Sequence, residues 1–572
     1  MTGDETGPQW PAVAMALAAR SPVVVLLEGD TGNQLTAWRP AATQAGIRWL
    51  ETAPASQECS PFGLWSRLAA EQPGASGLLR RLRLGPDWAH DPGNPLLPDP
   101  VGTHRAIYHW LMAYAPVVAV LDATGYTDWD SWAALKYVVR AMEDVPIALV
   151  LRTAAPDTGS SRHRLVQELL DEALVTLVKS SPAENPERER GAPPDSAAFG
   201  VACCRAGAVR SGSHMLAKAL AQPGDRAMAS AHDEATAWRY LAMAMLTQGQ
   251  FGYAATAVSG ALALEQAPAE RRLLRRISMA AQRGQGNAAL LHQMGVQAGR
   301  DLATEDLGSG ERAWLRLDAA LGSSLEDPEH IHEAMLRGVV ALPPGSASPQ
   351  CRAIAHLWLG AFLTLKDELP AAIEHQRAGL ELLDSLDEES RSAVARVRLG
   401  VALFGAGAYA ESAQHFGIAA QQAWRTADLD MTAECLCYAA RACVAQGKLT
   451  EAGRLLQDSA PRRAGLWELS RARLLRLHAR AVLAVARHEQ HAAAEMTHTL
   501  LADLENEPDG SASWILRLKC ECAYLLADCA DAWGDAAGAR AWIAQGLEIS
   551  TLCAPEERAV LSGRGLQRIS RL

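Results

Sequence analysis

The residues with the clearest chemical pattern lie between Ser21 and Trp38, in the stretch SPVVVLLEGDTGNQLTAW. The apolar run Val23–Leu27 is typical of a buried parallel strand, and the glycines after it precede a helix start. This order matches the phosphate-binding pattern G-x-x-x-x-G-K-[ST], in which backbone N–H groups and a lysine hold phosphate oxygens. The stretch therefore predicts a strand, a loop and a helix arranged like a phosphate site.

Aligned on that pattern, the loop keeps some of the required residues and lacks others. Gly29 takes the place of the first glycine, Gly32 lies in the variable middle, and Thr36 takes the Ser/Thr place that can ligate Mg²⁺. Gln34 replaces the second glycine, and Leu35 replaces the lysine. A hydrogen bond to a charged group contributes roughly 1.5–3 kcal/mol, so loss of the lysine alone weakens phosphate binding about 10- to 150-fold. We interpret the loop as a vestigial nucleotide site.

Length and composition indicate a large protein of several domains without a basic surface. The chain has 572 residues, of which 49% are hydrophobic and 5% aromatic, and a net charge of −11. This balance is opposite to that of dedicated nucleic-acid binders, so we expect no specific DNA binding. The eleven cysteines form no C-x-x-C pair, no signal-peptide pattern is present, and no apolar run approaches the length of about 18 residues that a membrane span needs. We expect a cytoplasmic protein with reduced thiols and no membrane segment.

The N-terminal part of the chain alternates strand and helix patterns. Besides the first strand, buried-strand patterns cover residues 46–52, 116–122, 146–153 and 174–179. Strands that alternate with helices predict a parallel sheet, so we assign residues 1–180 to an α/β P-loop-type domain. Residues 180–196 are rich in proline and charge, and we assign residues 181–224 to a linker and a connecting helix.

From about residue 225 onward the pattern changes to paired helices. The recurrent unit is an apolar helix, a short turn with a glycine, and a second alanine-rich helix, as in residues 241–264, 397–420, 435–456 and 523–543. The turn glycines Gly407 and Gly447 lie 40 residues apart, which is a typical helical-repeat period. Such units stack because none can bury its apolar face alone. We assign residues 225–572 to an all-α superhelix of repeats that resembles tetratricopeptide repeats.

Three separated segments carry a family resemblance: residues 21–38, PFGLWSRLAA at 61–70, and PVVAVLDATGYTDWDS at 116–131. Together with Arg152 on the next strand, their order resembles the ATPase module of the large ATP-binding LuxR-type regulators, which belong to the signal-transduction ATPases with numerous domains. In that family two acids end the second nucleotide-site strand, and an acid follows in a short segment after it. Asp122 fits the first acid, Ala123 replaces the second, and Asp128 fits the segment.

The resemblance implies a nucleotide site that no longer hydrolyses ATP. Asp122 could hold the water shell of Mg²⁺, but a carboxylate that positions the attacking water is missing at residue 123. Gly29, Gly32, Thr36 and Asp122 are then the vestigial nucleotide site, with no catalytic residue, no metal site and no resident cofactor expected. Weak binding of ATP and Mg²⁺ is the alternative. The winged-helix and helix-turn-helix modules of those regulators have no counterpart in the patterns of this sequence.

Two classes of function are compatible with these features. The first is a non-hydrolysing regulatory or scaffold protein that binds a protein partner in the groove of its repeats. The second is a small-molecule binder or repurposed enzyme that uses the groove or the old nucleotide cleft. A sensor that binds ATP without turnover is a third hypothesis, and self-association into a homo-oligomer is compatible with all three.

Two further clusters, one rich in histidine and one rich in arginine, could bind a metal or an anion, but we interpret both as solvent-exposed parts of helices and turns. The first cluster consists of His488, His491, Glu495 and His498, whose spacing would place all four on one face of a helix, as metal ligands require. Alignment of the repeats places His488 at a turn, so we interpret this cluster as a solvated turn. A basic patch at arginines 271, 272, 275 and 276 is interpreted as a solvated helix face rather than an anion or RNA site. Tryptophans of the repeats, such as Trp358, are interpreted as packing residues.

Overall fold

The computed structural model describes residues 9–20, 22–28, 32–52, 61–70, 72, 74–86, 96–123, 128–142, 145–153, 176–179, 197–221, 230–265, 267–285, 287–304, 307–323, 331–426, 428–460, 471–506, 513–553, 561–562 and 566–569. The chain divides into two compact units, Met1–His332 and Glu333–Leu572. The predicted linker at 180–196 lies outside the described residues, and the domain boundaries 1–180, 181–224 and 225–572 stay predictions.

The first unit contains a five-stranded parallel sheet. Its strands are β1 (Val23–Glu28), β2 (Arg48–Glu51), β3 (Val117–Asp122), β4 (Ile147–Thr153) and β5 (Thr176–Lys179), in the order β2-β3-β4-β1-β5. All four strand pairs are parallel, and each strand overlaps a predicted stretch, so the expectation of a parallel sheet is confirmed. The register places Asp122 of β3 level with Arg152 of β4.

Helices cover both faces of this sheet, which explains why its strands are continuously apolar. The helices are α1 (Gln9–Ala18), α2 (Gly32–Gln44), α3 (Gly63–Ala70), α4 (Ser76–Leu84), α5 (Pro100–Met112) and α6 (Trp129–Ala141). On one face, α1 and α2 bury Trp10 and Trp38 against Leu27 of β1 and its neighbours. On the other face, α3 to α6 bury Trp65 and Trp132 against Leu26 and the alternate side chains. Alternation of side chains along each strand separates the two cores.

Among the described residues of the first unit, seven helices follow the sheet: α7 (Ala197–Ala206), α8 (Val209–Ala221), α9 (Ala231–Thr247), α10 (Phe251–Leu264), α11 (Pro268–Gly284), α12 (Ala288–Thr304) and α13 (Ser309–Ser323). Helices α9 and α10 form a hairpin whose turn residue, Gly249, has a positive φ of 71°. The hairpin pattern therefore begins within the first unit.

The basic patch of α11 lies between helices, which differs from the solvated face expected from the sequence. Its arginines have partners on neighbouring elements: Arg271 with the Glu265 carbonyl, Arg272 with Glu311, Arg275 with Asp301, and Arg276 with Asp318. Arg276 is buried, and its Nε donates to Asp318 Oδ2 at 2.8 Å. The acids come from residues 26 to 42 positions further along the chain, so the local sequence around α11 does not contain them.

The second unit is built from helical hairpins. After α14 (Ile331–Val340), which crosses the unit boundary, come α15 (Pro349–Leu365), α16 (Leu369–Ser385), α17 (Glu389–Gly405), α18 (Tyr409–Arg425), α19 (Leu429–Ala445), α20 (Leu449–Asp458), α21 (Arg471–Ala486), α22 (Gln490–Glu505), α23 (Ser513–Ala532) and α24 (Ala536–Leu552). We call α15, α17, α19, α21 and α23 the leading helices and their partners the trailing helices. The expected helical-repeat architecture is confirmed for this unit.

One turn geometry joins each leading helix to its trailing helix. The turn residue has a positive φ in every hairpin: Asp367, Gly407, Gly447, His488 and Gly534. At Gly407 the amide donates to the Phe404 carbonyl, and the next amide donates to the Leu403 carbonyl at 2.9 Å. This is the Schellman arrangement, which satisfies the last carbonyls of a helix and favours glycine at the left-handed position. The structure thus confirms that His488 occupies a turn.

At these turns the positive φ favours glycine, so replacing a glycine should destabilise the protein and introducing a glycine should stabilise it. A Cβ at Gly407 would meet nothing within 4 Å, so Gly407→Ala should lower the free energy of unfolding by about 1 kcal/mol through backbone strain alone. His488→Gly should raise it by about 0.5–1 kcal/mol. Gly417→Ala is the control, because Gly417 lies inside α18 with equally open space and ordinary helical φ, where alanine should stabilise. Urea denaturation measures all three, and a destabilised His488→Gly variant would contradict the reasoning.

Candidate functional site

The C-terminal edge of the sheet carries the residues that the sequence assigned to a nucleotide site. Strand β1 ends at Glu28 and α2 begins at Gly32, while Gly29 lies outside the described residues. Thr36 is exposed on the first turns of α2. Leu35 has only 5% of its surface exposed and packs in the apolar cluster that contains Trp38. The residue at the lysine position of the pattern therefore belongs to the core.

Asp122 ends β3 and already faces cationic groups. Its Oδ2 lies 3.5 Å from Nη1 of Arg152, with the two side chains 32% and 24% exposed. Arg67 of α3 donates from Nη2 to the Asp122 carbonyl at 3.1 Å, and the Asp122 amide donates to Thr52 Oγ1 at 2.9 Å. Ala123 is fully buried. These residues do not fit a Mg²⁺–nucleotide complex: the acid is paired with arginine, the second acid is absent, and the lysine position is apolar.

The third acid of the resemblance, Asp128, has a structural role. It is the N-cap residue of α6, and its carboxylate accepts from the Ser131 amide at 2.8 Å, the Ser131 hydroxyl at 2.6 Å and the Gly63 amide at 2.9 Å. Burial raises the pKa of Asp128, and the hydrogen bonds from Ser131 oppose that shift. Because its acceptor sites serve the backbone, Asp128 anchors α6 to the start of α3.

Asp130, which sequence reasoning missed, anchors α6 to a distant helix. It accepts from the Ser211 amide at 2.9 Å and from the Arg210 amide at 3.4 Å, at the first turn of α8. Burial, and next the charge of Asp128, raise the pKa of Asp130 to about 6. No local motif marks this residue, because its partners lie some 80 positions away in the chain.

In the second unit, side chains of several leading helices converge on Arg441 of α19. Its guanidinium carbon lies 5.8 Å from the ring centre of Phe404 on α17, and Nη2 donates to Glu521 Oε2 on α23 at 3.0 Å. Packed neighbouring helices lie about 8–10 Å apart, so in a straight row α17 and α23 would be far beyond the reach of one guanidinium. The row of leading helices is therefore curved, with Arg441 on its inner side.

Counting back from each turn residue gives the places on the other leading helices that are equivalent to Arg441 and Glu521. Arg441 stands 6 residues before Gly447, and Glu521 stands 13 residues before Gly534. Places 13, 9 and 6 before a turn have the spacing i, i+4, i+7, which lies on one face of a helix. We call these places the inner stripe: Ile354, Trp358 and Ala361 on α15; Val394, Arg398 and Val401 on α17; Glu434, Tyr438 and Arg441 on α19; Leu475, Ala479 and Val482 on α21; Glu521, Leu525 and Asp528 on α23.

The inner stripe is accessible to solvent on α15 and α17, which we call its open end, and mostly buried on α21 and α23. On α21 and α23 most of its residues are buried, and Glu521 and Arg441 are only 8% and 16% exposed. His478 lies beneath this pair, 2% exposed, with Nε2 3.5 Å from Glu521 Oε2. Burial, and next the charge of Arg441, lower the pKa of His478 to about 3, so the ring is neutral. On α15 and α17 every residue of the stripe is half-buried or exposed.

The open end combines one cation with apolar groups. The Arg398 guanidinium lies over the Trp358 indole, 5.0 Å from the ring centre. Val394, one turn before Arg398, is 45% exposed, so an apolar surface lies one helical turn from the cation. Trp358 was expected to be a packing residue, and it does pack, but its partner is a charged side chain at the inner surface.

The histidine-rich segment does not form a metal site. His488 is the turn residue, His491 stacks on Trp533 with ring centres 5.0 Å apart, and His498 packs against Trp542 at 5.7 Å. No group of three or more His, Cys, Asp or Glu side chains in the described part of the chain could hold a metal ion. Nor is any helix of the described residues both long and apolar enough to cross a membrane.

No protein-family model and no curated protein matches this chain. Among solved structures, it is similar to a Rap protein complexed with competence and sporulation factor, at 12% identity and a TM-score of 0.41, over 62% of this chain and 94% of that chain. It is also similar to a signal transduction ATPase with numerous domains from Pyrococcus horikoshii that carries a tetratricopeptide repeat sensor, at 10% identity and a TM-score of 0.32, over 98% of this chain and 95% of that chain. Both TM-scores are below 0.5, so neither likeness determines the function of this chain.

Proposed function

We propose that this chain is a non-hydrolysing regulatory or scaffold protein that binds a protein partner at the inner stripe of its second unit. The observation that carries the proposal is the open end of that stripe, where Val394 is exposed beside the Trp358–Arg398 pair. Curved rows of helix pairs bind extended segments along their inner surface without catalytic residues. We further propose that residues 1–180 descend from the ATPase module of the LuxR-type regulators, with residues 29, 32, 36 and 122 as vestiges of its nucleotide site, and that the protein acts in the cytoplasm.

The partner-binding role is tested by removing the exposed apolar contact without adding charge. Val394→Ser in the full chain should abolish capture of a specific partner from native lysate in crosslinking pull-downs. Leu552→Ser is the matched control, because Leu552 is 67% exposed at the end of a trailing helix, outside the stripe. Equal capture by both variants would locate the working surface elsewhere, including the old nucleotide cleft.

We expect the full chain to show no ATP turnover above the blank. The chain has Leu35 in the core at the lysine position, Ala123 in place of the second acid, and Arg152 paired with Asp122. Phosphoryl transfer depends on a positioned cation and on a group that orients the attacking water, and neither is present among these residues. A coupled phosphate-release assay with ATP and Mg²⁺ measures this. Turnover that Asp122→Ala abolishes would overturn the proposal of a vestigial site.

A further inference from the structure

We propose that the open end of the inner stripe recognises an acidic segment of the partner, with Arg398 receiving a carboxylate and Trp358 and Val394 contacting an adjacent apolar side chain. This inference rests on the proposed function and specifies the chemistry of the partner.

Charge is segregated between the two sets of helices in the second unit. The leading helices contain eleven basic and six acidic residues, whereas the trailing helices contain four basic and ten acidic residues. The inner stripe as a whole does not share this excess, because it contains two arginines, Arg398 and Arg441, and three acids, Glu434, Glu521 and Asp528. On α15 and α17, however, Arg398 is the only charged residue among the six of the stripe. An acidic ligand that enters the open end therefore meets a cation and no acid of the stripe, which favours its binding there.

Most acids that could neutralise this surface from within already have arginine partners. Glu521 pairs with Arg441 at 3.0 Å, and Glu434 lies 3.6 Å from Nε of Arg471. Arg398 is different: within the described residues it contacts an aromatic ring and forms no ion pair. Burial lowers the pKa of Arg398, which means that its charge is poorly solvated without a compensating anion. Such an arginine gains more from an incoming carboxylate than a solvated one does.

A peptide fits these features better than a nucleic acid does. Nucleic-acid binding relies on several lysine or arginine contacts to phosphates, whereas the inner stripe of α15 and α17 has a single cation, Arg398. Arg398 shares the inner stripe of α15 and α17 with the apolar residues Ile354, Ala361, Val394 and Val401, which suit apolar side chains rather than phosphates. A carboxylate next to an apolar side chain is the simplest ligand that satisfies both Arg398 and Val394.

The experiment uses the full chain and a short fluorescein-labelled peptide of alternating glutamate and leucine, followed by fluorescence anisotropy. We expect saturable binding that weakens with salt, and at least tenfold weaker binding of the matching glutamine–leucine peptide. Arg398→Gln should weaken binding of the glutamate peptide about tenfold, because one charge-assisted hydrogen bond is lost. Arg540→Gln is the control: Arg540 is exposed on a trailing helix, and its loss should change affinity less than twofold.

Equal binding of the two peptides would overturn the inference without any variant, so a misfolded Arg398→Gln chain cannot obscure the result. Equal weakening by Arg398→Gln and Arg540→Gln would also overturn it, because the attraction would then be diffuse. Tighter binding of a single-stranded RNA of equal length would replace the acidic peptide with a nucleic acid. If the acidic peptide fails while lysate capture still depends on Val394, the inference about charge is wrong and the proposed function stands.

Discussion

Replacing Leu35 with lysine is expected to destabilise the first unit by about 3 kcal/mol or more, and not to create a nucleotide site. The substitution restores the residue type that the phosphate-binding pattern requires. The structure places this position in the apolar cluster of α1, α2 and the sheet, with Leu35 only 5% exposed. A lysine there either buries its ammonium group, which is costly without a partner, or disturbs the packing around Trp38.

Thr36→Lys is the matched control for that substitution. It adds the same charge one residue later on α2, at an exposed position, where the expected change is within about 0.5 kcal/mol. Urea denaturation compares the two variants, and titration with a fluorescent ATP analogue detects any new binding. A Leu35→Lys chain as stable as Thr36→Lys, or one that binds ATP in the micromolar range, would show that the position still faces the cleft.

The strands and the repeat turns were predictable from the sequence, because each is determined by residues that are close together in the chain. Strand β3 is a run of apolar residues ending in Asp122, and a strand covered on both faces requires such a run. The turns were predictable for a similar reason, since Gly407 and Gly447 recur at one repeat period. His488 shows the strength of the periodic argument: its position in the repeat, rather than its residue type, identified the turn.

Hydrogen bonds and ion pairs between distant helices or strands could not be predicted from local sequence, because they depend on how those elements pack. Asp130 caps α8 through the Ser211 amide, and Arg441 of α19 reaches Glu521 of α23, with the leading helix α21 between them in the chain. Both contacts join residues about 80 positions apart, and the second exists only because the row of helices is curved. The candidate nucleotide site illustrates the same limit. Sequence alignment identified Asp122 as a metal acid, whereas the β3–β4 register that pairs it with Arg152 is a property of the folded sheet.

Removing the carboxylate of Glu521 is expected to lower the free energy of unfolding of the second unit by about 3–5 kcal/mol. In Glu521→Ala, Arg441 keeps its charge in a site where it is 16% exposed, and the neutral ring of His478 loses its only nearby anion among the described residues. The cost comes mainly from the uncompensated guanidinium, because the pair is well shielded from solvent. Glu521→Gln, which keeps an acceptor oxygen, should lose less.

Glu495→Ala is the control, because Glu495 is exposed on a trailing helix and its side chain forms no ion pair among the described residues. Hydrogen exchange should distinguish a local effect from loss of the curved arrangement. Since Arg441 contacts α17 and α23 at once, Glu521→Ala should increase amide exchange in α19 and α23 together, while α15 and α16 keep their protection. A stability change no larger than that of Glu495→Ala would mean that apolar packing alone maintains the curvature. In that case the Arg441–Glu521 pair would be free to open, and the inner stripe could receive a ligand along its whole length rather than at α15 and α17 only.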